Sequence, residues 1–254
     1  MLPELNGKTA LVTGASRGIG AATAVALANN GCTRVLIHYN SYQEGADRVM
    51  REIREAGAAT EALHGNLGTP EGIRAFREKV SQQASELDIL VNNAGSLVKR
   101  ASLVEFSNEL YDQVMDLNFR SAWFLSQEVV PGMIRKGAGV IVNVSSIAAR
   151  NGGGPGAAIY AASKAAVACI TKGMAKELAP KGIRVNAVSP GTVNNHFHEV
   201  FSNPQMLDAA VKMTPAGKLG TDEEVADTIV FLCSEGARFI MGQTIEINGG
   251  MYMV

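Results

Sequence analysis

The sequence predicts a single-domain α/β fold: a doubly wound parallel sheet of about seven strands with helices on both faces. Three observations lead there. Short apolar runs of strand length alternate with helix-length stretches along the whole chain. Those runs are short and mainly apolar, as in strands buried on both faces. No linker, composition break or internal repeat divides residues 1–254, so they form one unit.

The first strand is expected over 8–13 (KTALVT), followed by an Ala-rich helix over 18–30 that Gly31 stops. A second strand at 34–39 (RVLIHY) precedes a helix over 43–56, stopped by Gly57. The third strand, 60–64, leads to a helix over 70–84 with Pro70 at its start. The fourth, 88–92 (DILVN), is followed by one long helical region over 108–136. The fifth strand covers 139–144 (GVIVNV), with a helix over 159–179 after it. The sixth covers 183–188 (IRVNAV). A helix over 221–234 opens on the capping pattern Thr221-Asp222-Glu223-Glu224, and a last strand covers 244–247. Residues 192–217 lack periodicity and read as a loop, long enough to be a lid over a binding site.

Composition narrows the function. Apolar residues make up 46% and charged residues 19%, which supports a sizeable core and excludes a disordered chain. A formal net charge of −1 argues against nucleic acid or an anionic membrane as the main partner. The 27 glycines follow no Gly-X-Y period, so their excess serves turns and close backbone approaches. Cys32, Cys169 and Cys233 lie far apart with no C-x-x-C, which predicts small core hydrophobes and neither disulfide nor zinc site. With no secretory pattern at the start and no apolar run of about 18 residues, a cytoplasmic setting is expected.

The first strand runs into Thr13-Gly14-Ala15-Ser16-Arg17-Gly18-Ile19-Gly20 and then a helix. A glycine-rich turn in that place brings backbone N–H groups and the positive helix end to a pyrophosphate. Gly14–Gly18 also matches G-x-S-x-G, the nucleophile elbow of α/β-hydrolases, but only one strand precedes Ser16 and that fold needs an earlier strand and loop for its oxyanion hole. NAD binders carry an acid about 20 residues past the glycines. Here that stretch is His38-Tyr39-Asn40-Ser41, with no carboxylate before Glu44, and Arg17 is available to pair with a 2′-phosphate. The expected cofactor is therefore NADP(H) in preference to NAD(H).

Tyr160 and Lys164 are four apart on an expected helix and share one face. A tyrosine of ordinary pKa, about 10, is a poor proton donor or acceptor near neutrality, and a nearby Lys cation favours the phenolate. Ser145-Ser146, Asn92-Asn93-Ala94-Gly95 and Ser189-Pro190-Gly191 end the fifth, fourth and sixth strands, at the sheet edge where open α/β sheets bind ligands. Together with Asn118 in DLNFRS, YAASK at 160–164 and GQTIEINGG at 242–250, these motifs resemble the short-chain dehydrogenase/reductase family over nearly the whole chain.

That resemblance implies a Rossmann-type fold and an oxidoreductase moving hydride between nicotinamide and a carbonyl or alcohol. It implies Tyr160 as general acid/base, Lys164 holding ribose hydroxyls and lowering the tyrosine pKa, and Ser146 bonding the substrate oxygen. Asn118 would hold a water in a proton relay. The implied cofactor contacts are Gly14, Ser16, Arg17, Gly18, Ile19, Gly20, Tyr39, Asn40, Ser41, Asn66, Leu67, Asn92, Ala94, Gly95, Tyr160, Lys164, Pro190, Gly191 and Val193. Two positions depart from the family pattern. Asn66 stands where Asp often meets the adenine, and Asn195 where Thr often holds the carboxamide, a task Thr192 or Asn195 would take over.

Over the whole chain the resemblance points towards the 3-oxoacyl-(acyl-carrier-protein) reductase branch, whose general pattern many sugar, steroid and polyol enzymes share. A narrower resemblance to bacterial reductases of alginate-derived unsaturated uronates rests on NNAGSLVKR, the GGGPG loop, PGTV with Phe197-His198, and INGGMY. It implies a keto sugar acid met by Arg100, Ser146, Asn151, Tyr160 and His198, with Lys99 and His196 nearby. A 3-oxoacyl thioester is the alternative, served by Met206, Leu207 and Met213 in the lid. A catalytically inactive NADP-binding sensor is a third reading, opposed by the presence of Ser146, Tyr160, Lys164 and Asn118. His196-x-His198 lacks a third ligand, so no metal is expected. The family resemblance implies a homotetramer built through the long helices.

Overall fold

The computed structural model describes residues 5–254. Its strands are β1 (Thr9–Val12), β2 (Arg34–Tyr39), β3 (Ala59–His64), β4 (Ile89–Asn92), β5 (Gly139–Val144), β6 (Ile183–Pro190) and β7 (Thr244–Ile247). They form one parallel sheet in the order β3-β2-β1-β4-β5-β6-β7. The order reverses between β1 and β4, and that reversal opens a crevice at the carboxyl ends of the strands.

Helices cover both faces. On one side α1 (Gly18–Asn29), α2 (Gln43–Glu55) and α10 (Asp222–Cys233) bury Ala24, Leu27, Val49, Ile53, Val225 and Ile229 against the sheet. On the other, α3 (Pro70–Ser81), α5 (Ser121–Lys136) and α7 (Ala158–Leu178) bury Phe76, Val80, Leu125, Val129, Met133 and Met174. With both faces covered, every residue of β4 and β6 is buried, and the long polar side chains of β6 are paired: Arg184 and Asn186 donate to backbone carbonyls. Local signals set several boundaries. Thr69 caps α3 ahead of Pro70, and Thr221 with Glu224 closes a capping box on α10. Among the described residues no helix is long and apolar enough to cross a membrane.

Three expectations from sequence are corrected. The single helix expected over 108–136 is α4 (Asn108–Met115), a π-helical turn at Asp116–Arg120, and α5. The Asn118 amide donates to the Val114 carbonyl and the Ser121 hydroxyl to that of Leu117, and these side-chain bonds compete with the regular backbone ladder. The aperiodic stretch 192–217 is not a bare loop: it holds α8 (His196–Phe201), capped by Asn195, and α9 (Pro204–Met213), capped by Asn203. Cys32 and Cys233 are core residues as expected. Cys169 is exposed, because it falls on the outward face of α7 with Ala162, Gly173 and Lys176.

Candidate active site

The crevice is a cleft of ≈ 650 Å³ running from the glycine turn after β1 to the α8–α9 lid. Gly14 and Gly18 both have left-handed backbone, with φ of 64° and 62°. A Cβ on Gly20 would lie 2.4 Å from both the Asn93 amide nitrogen and the Gly14 carbonyl oxygen, so only glycine lets the turn close there. Helix α1 opens on Arg17 with no side-chain cap, which leaves its first N–H groups to face the cleft. Uncapped donors at a helix start, beside a turn that side chains would fill, fit the diphosphate of a dinucleotide. The Arg17 guanidinium lies 4.2 Å over the Tyr42 ring at the rim of this end.

Of the expected cofactor contacts, Gly14, Arg17, Gly18, Ile19, Ala94 and Gly95 line the cleft, as do Tyr160, Lys164, Pro190, Gly191 and Val193. Ser16 is buried beneath the turn, and Gly20 is packed behind it. Tyr39, Asn40 and Ser41 end β2 outside the cleft wall, with the Tyr39 ring 5.4 Å from His64. Asn66 turns its amide oxygen onto the Gly68 N–H, and the Leu67 side chain belongs to the core. Asn92 also points away from the cleft: its amide donates to Asn143 (2.9 Å) and Ser126 (3.0 Å), and Asn143 donates on to Thr171. Its neighbour Asn93, which the sequence reading passed over, donates to the carbonyls of Thr13 and Gly14 and so pins the glycine turn.

Tyr160 and Lys164 extend from the first turns of α7 into the middle of the cleft. The adjacent serines after β5 divide the work. Ser145 is buried and donates to the Lys164 carbonyl at 2.9 Å, whereas Ser146 hydrogen-bonds Tyr160. Burial pushes the Tyr160 phenol up to about 12, opposed by the Ser146 bond. That reverses the expected direction. Lys164 donates to the Val144 carbonyl at 2.8 Å, and its ammonium sits 5.9 Å from the centre of the tyrosine ring. Burial also pulls Lys164 down to about 8, which weakens the cation meant to favour the phenolate.

Asn118 sits on the π turn, where such irregularities often mark functional sites. Its side chain is committed: the amide oxygen accepts from the Ser96 N–H and the amide nitrogen donates to the carbonyls of Ser96 and Val114. A Cβ on Gly95 would come within 2.7 Å of the Asn118 amide oxygen and 2.8 Å of the Lys164 ammonium. Glycine there leaves both polar groups uncovered.

The lid side is aromatic. The Phe197 ring lies 5.6 Å from Tyr160 and 5.0 Å from Phe201. His198 bonds the Ser202 hydroxyl at 2.9 Å, and burial, with the Arg100 charge adding, pulls its pKa down to about 4. Arg100 is not a free cation. Its guanidinium donates to the Phe201 carbonyl (2.8 Å) and the Pro155 carbonyl (2.7 Å), tying the lid to the glycine-rich loop. That loop now has a reason: at Gly156, with φ 73°, a Cβ would lie 3.0 Å from the Ala101 N–H. Asn151 lines the cleft but accepts from the Gly153 N–H, and Lys99 lies outside the wall. Thr192 and Asn195 both line the cleft, but the Asn195 side chain caps α8 and donates to Asp222, so its amide is already engaged. Val98, with φ 61°, centres a tight turn closed by the Lys99 N–H on the Leu97 carbonyl (2.7 Å). Among the described residues no cluster of His, Cys, Asp and Glu could hold a metal ion.

A family model described as enoyl-(acyl carrier protein) reductase matches residues 14–252. The chain belongs to the short-chain dehydrogenase/reductase family. It is an oxidoreductase of the kind that acts on CH–OH and carbonyl groups with a nicotinamide cofactor. It is 39% identical over 246 residues to the 3-oxoacyl-(acyl-carrier-protein) reductase FabG of Staphylococcus aureus, covering 97% of this chain and 98% of that one. The Vibrio cholerae protein of the same name is 39% identical over 251 residues, 99% of this chain and 100% of its own. Among solved structures, one described as an NAD(P)-dependent gluconate 5-dehydrogenase from Beutenbergia cavernae, with bound NADP, superposes with a TM-score of 0.90. It is 35% identical and each chain is covered to 98%. A structure from Agrobacterium tumefaciens with bound NADP, described as that of a 2-deoxy-D-gluconate 3-dehydrogenase, gives 0.87 at 34% identity, covering 98% of this chain and 97% of that one.

Proposed function

We propose that this short-chain dehydrogenase/reductase is an NADP(H)-dependent carbonyl reductase and that its substrate is a 3-oxoacyl thioester. The observation that carries the substrate is the apolar wall facing Tyr160: Leu97, Phe197, Phe201, Met206, Leu207 and Met213 line the cleft, and Arg100 at the lid end is tied to two backbone carbonyls. Such a wall suits an acyl chain. The curated relatives, named as 3-oxoacyl reductases, support the same reading. The described residues 5–254 act as one dinucleotide-binding and catalytic domain, with 192–217 as its lid; residues 1–4 of the expected 1–254 domain lie outside the described residues.

When bound, reduced nicotinamide supplies the hydride. The chain's own part is to position and to move a proton. The phenol of Tyr160 stays protonated through neutrality and gives its proton to the carbonyl oxygen as negative charge develops there. Ser146 bonds both the tyrosine and that oxygen, favouring the developing charge. Lys164, held by Val144 in the cleft wall, would hold the ribose hydroxyls and help return a proton to Tyr160. The Asn118 amide spends both of its hydrogens on the carbonyls of Ser96 and Val114, which leaves none to donate to a relay water. The preference for NADP(H) draws on Arg17 at the rim, the lack of a carboxylate at 38–41, and the NADP in the two solved relatives. A homotetramer is proposed from the exposed apolar residues Tyr111 on α4 and Trp123 and Ile134 on α5. Gel filtration at about four chain masses is the expected result.

A second reading is a keto sugar acid, such as an alginate-derived uronate. The gluconate-dehydrogenase descriptions of the solved relatives favour it, with Asn151, His198 and the outer edge of Arg100 at the cleft mouth. An NADPH-oxidation panel decides between them. Turnover on an acetoacetyl thioester is expected, and turnover only on the keto-uronate would replace the first reading with the second. Tight NADPH binding without turnover on any carbonyl would instead mark an inactive sensor. Tyr160→Phe is expected to cut kcat by about 10²–10⁴-fold while NADPH affinity holds.

A further inference from the structure

His38, next to last in β2, has its side chain turned inward, only 2% exposed, beside the glycine turn. Its Nδ1 lies 3.0 Å from the Gly14 N–H and its Nε2 lies 3.0 Å from the Gly65 carbonyl oxygen. The ring packs edge-on against Phe76, with centroids 4.6 Å apart. An N–H can only donate and a carbonyl can only accept, so the two partners fix one protonation state: neutral, with the proton on Nε2. Burial enforces the same state, pulling the imidazole down to about 4, and the nearby charges of His64 and Lys79 act in the same direction.

From this geometry we infer that His38 is a positioning residue for the dinucleotide, a strut that holds the diphosphate turn at Gly14 against the loop at Gly65 on the adenine side. The inference rests on reading the cleft as a dinucleotide site. Gly14 is clamped from two directions, by His38 on one side and by Ala94 on the other, where a Cβ would lie 2.9 Å from the Ala94 Cα. The backbone of His38 adds a third link, since its carbonyl accepts from the Ala15 N–H at 2.9 Å. Gly65 in turn donates to the Tyr39 carbonyl at 3.0 Å. The imidazole is thus the side chain through which the turn after β1 and the loop after β3 share one fixed spacing. The donors of the turn face the cleft only while the Gly14 N–H is held back from it.

Two half-replacements separate the contacts. Asn carries its amide near the place of Nδ1 and Gln near that of Nε2. His38→Asn is therefore expected to keep the Gly14 bond and to bind NADPH within about threefold of wild type in calorimetry. His38→Gln is expected to lose that bond and to weaken NADPH about tenfold, with KM for NADPH rising and kcat little changed. Equal weakening in the two variants, or wild-type affinity in His38→Gln, would overturn the inference. Nitrogen-15 shifts of the wild-type imidazole give an independent check that needs no variant: the Nε2–H form is expected, and the other tautomer or a cation would also overturn it. If the wild-type protein binds neither NADPH nor NADH, the dinucleotide reading itself fails.

Discussion

One methyl group added at Gly95 probes the proton-handling centre of the cleft. Gly95→Ala would put a carbon 2.7 Å from the Asn118 amide oxygen and 2.8 Å from the Lys164 ammonium, well inside normal contact. One of the two must move. Asn118 is held by three bonds to the backbone of Ser96 and Val114, whereas Lys164 ends a flexible chain held by one bond to the Val144 carbonyl. Lys164 therefore yields and loses a charge-assisted bond worth about 1.5–3 kcal/mol. At about 1.36 kcal/mol per decade, that displacement lowers kcat roughly 10- to 150-fold if it is felt in the transition state. Steady-state turnover with saturating NADPH measures it, with NADPH affinity as the control for local unfolding. A Gly95→Ala enzyme that folds, binds NADPH and turns over within about twofold of wild type would refute the role given to the Lys164 position.

Two further outcomes follow from the electrostatics and the lid. Tyr160 keeps its proton up to about 12 whereas Lys164 loses its own near 8, so the rate of reduction should fall as pH rises through about 8, and Lys164→Met should remove that limb. A limb unchanged in Lys164→Met would assign it elsewhere. Arg100→Ala frees the carbonyls of Phe201 and Pro155, so amide exchange across residues 196–202 should quicken about tenfold. KM should rise alike for a thioester and a keto acid, and a rise confined to the acid would make Arg100 a carboxylate ligand.

The strands and the larger helices were legible because their signals are local or periodic. The fifth and seventh strands fall on the expected residues, and Thr221 with Glu224 starts its helix as the capping pattern predicts. The break at Asn118 was hidden, since periodicity does not reveal a side chain that takes a backbone acceptor. The lid helices are too short for a periodic signal, although Asn195, Asn203 and Pro204 were readable start marks. Adjacent identical residues posed another limit. Asn92 and Asn93, like Ser145 and Ser146, take opposite environments at a strand end, and spacing alone does not say which member faces the ligand. The direction of the Tyr160 shift depends on burial, which only the assembled lid and cleft supply.

The amide pair between β4 and β5 has a consequence for how the sheet finds its alignment. A strand with one wet face is kept in step by the penalty for turning apolar side chains outward. Here both faces are dry, so sliding β4 by a residue against β5 would exchange one oily surface for another at little cost. Asn92 opposite Asn143 supplies the missing discrimination: any other alignment breaks the buried amide–amide bond between them. A few buried polar atoms thus act as a ratchet that brings the strand ends flush, and the loops bearing Gly95 and Ser146 arrive at one level because of it.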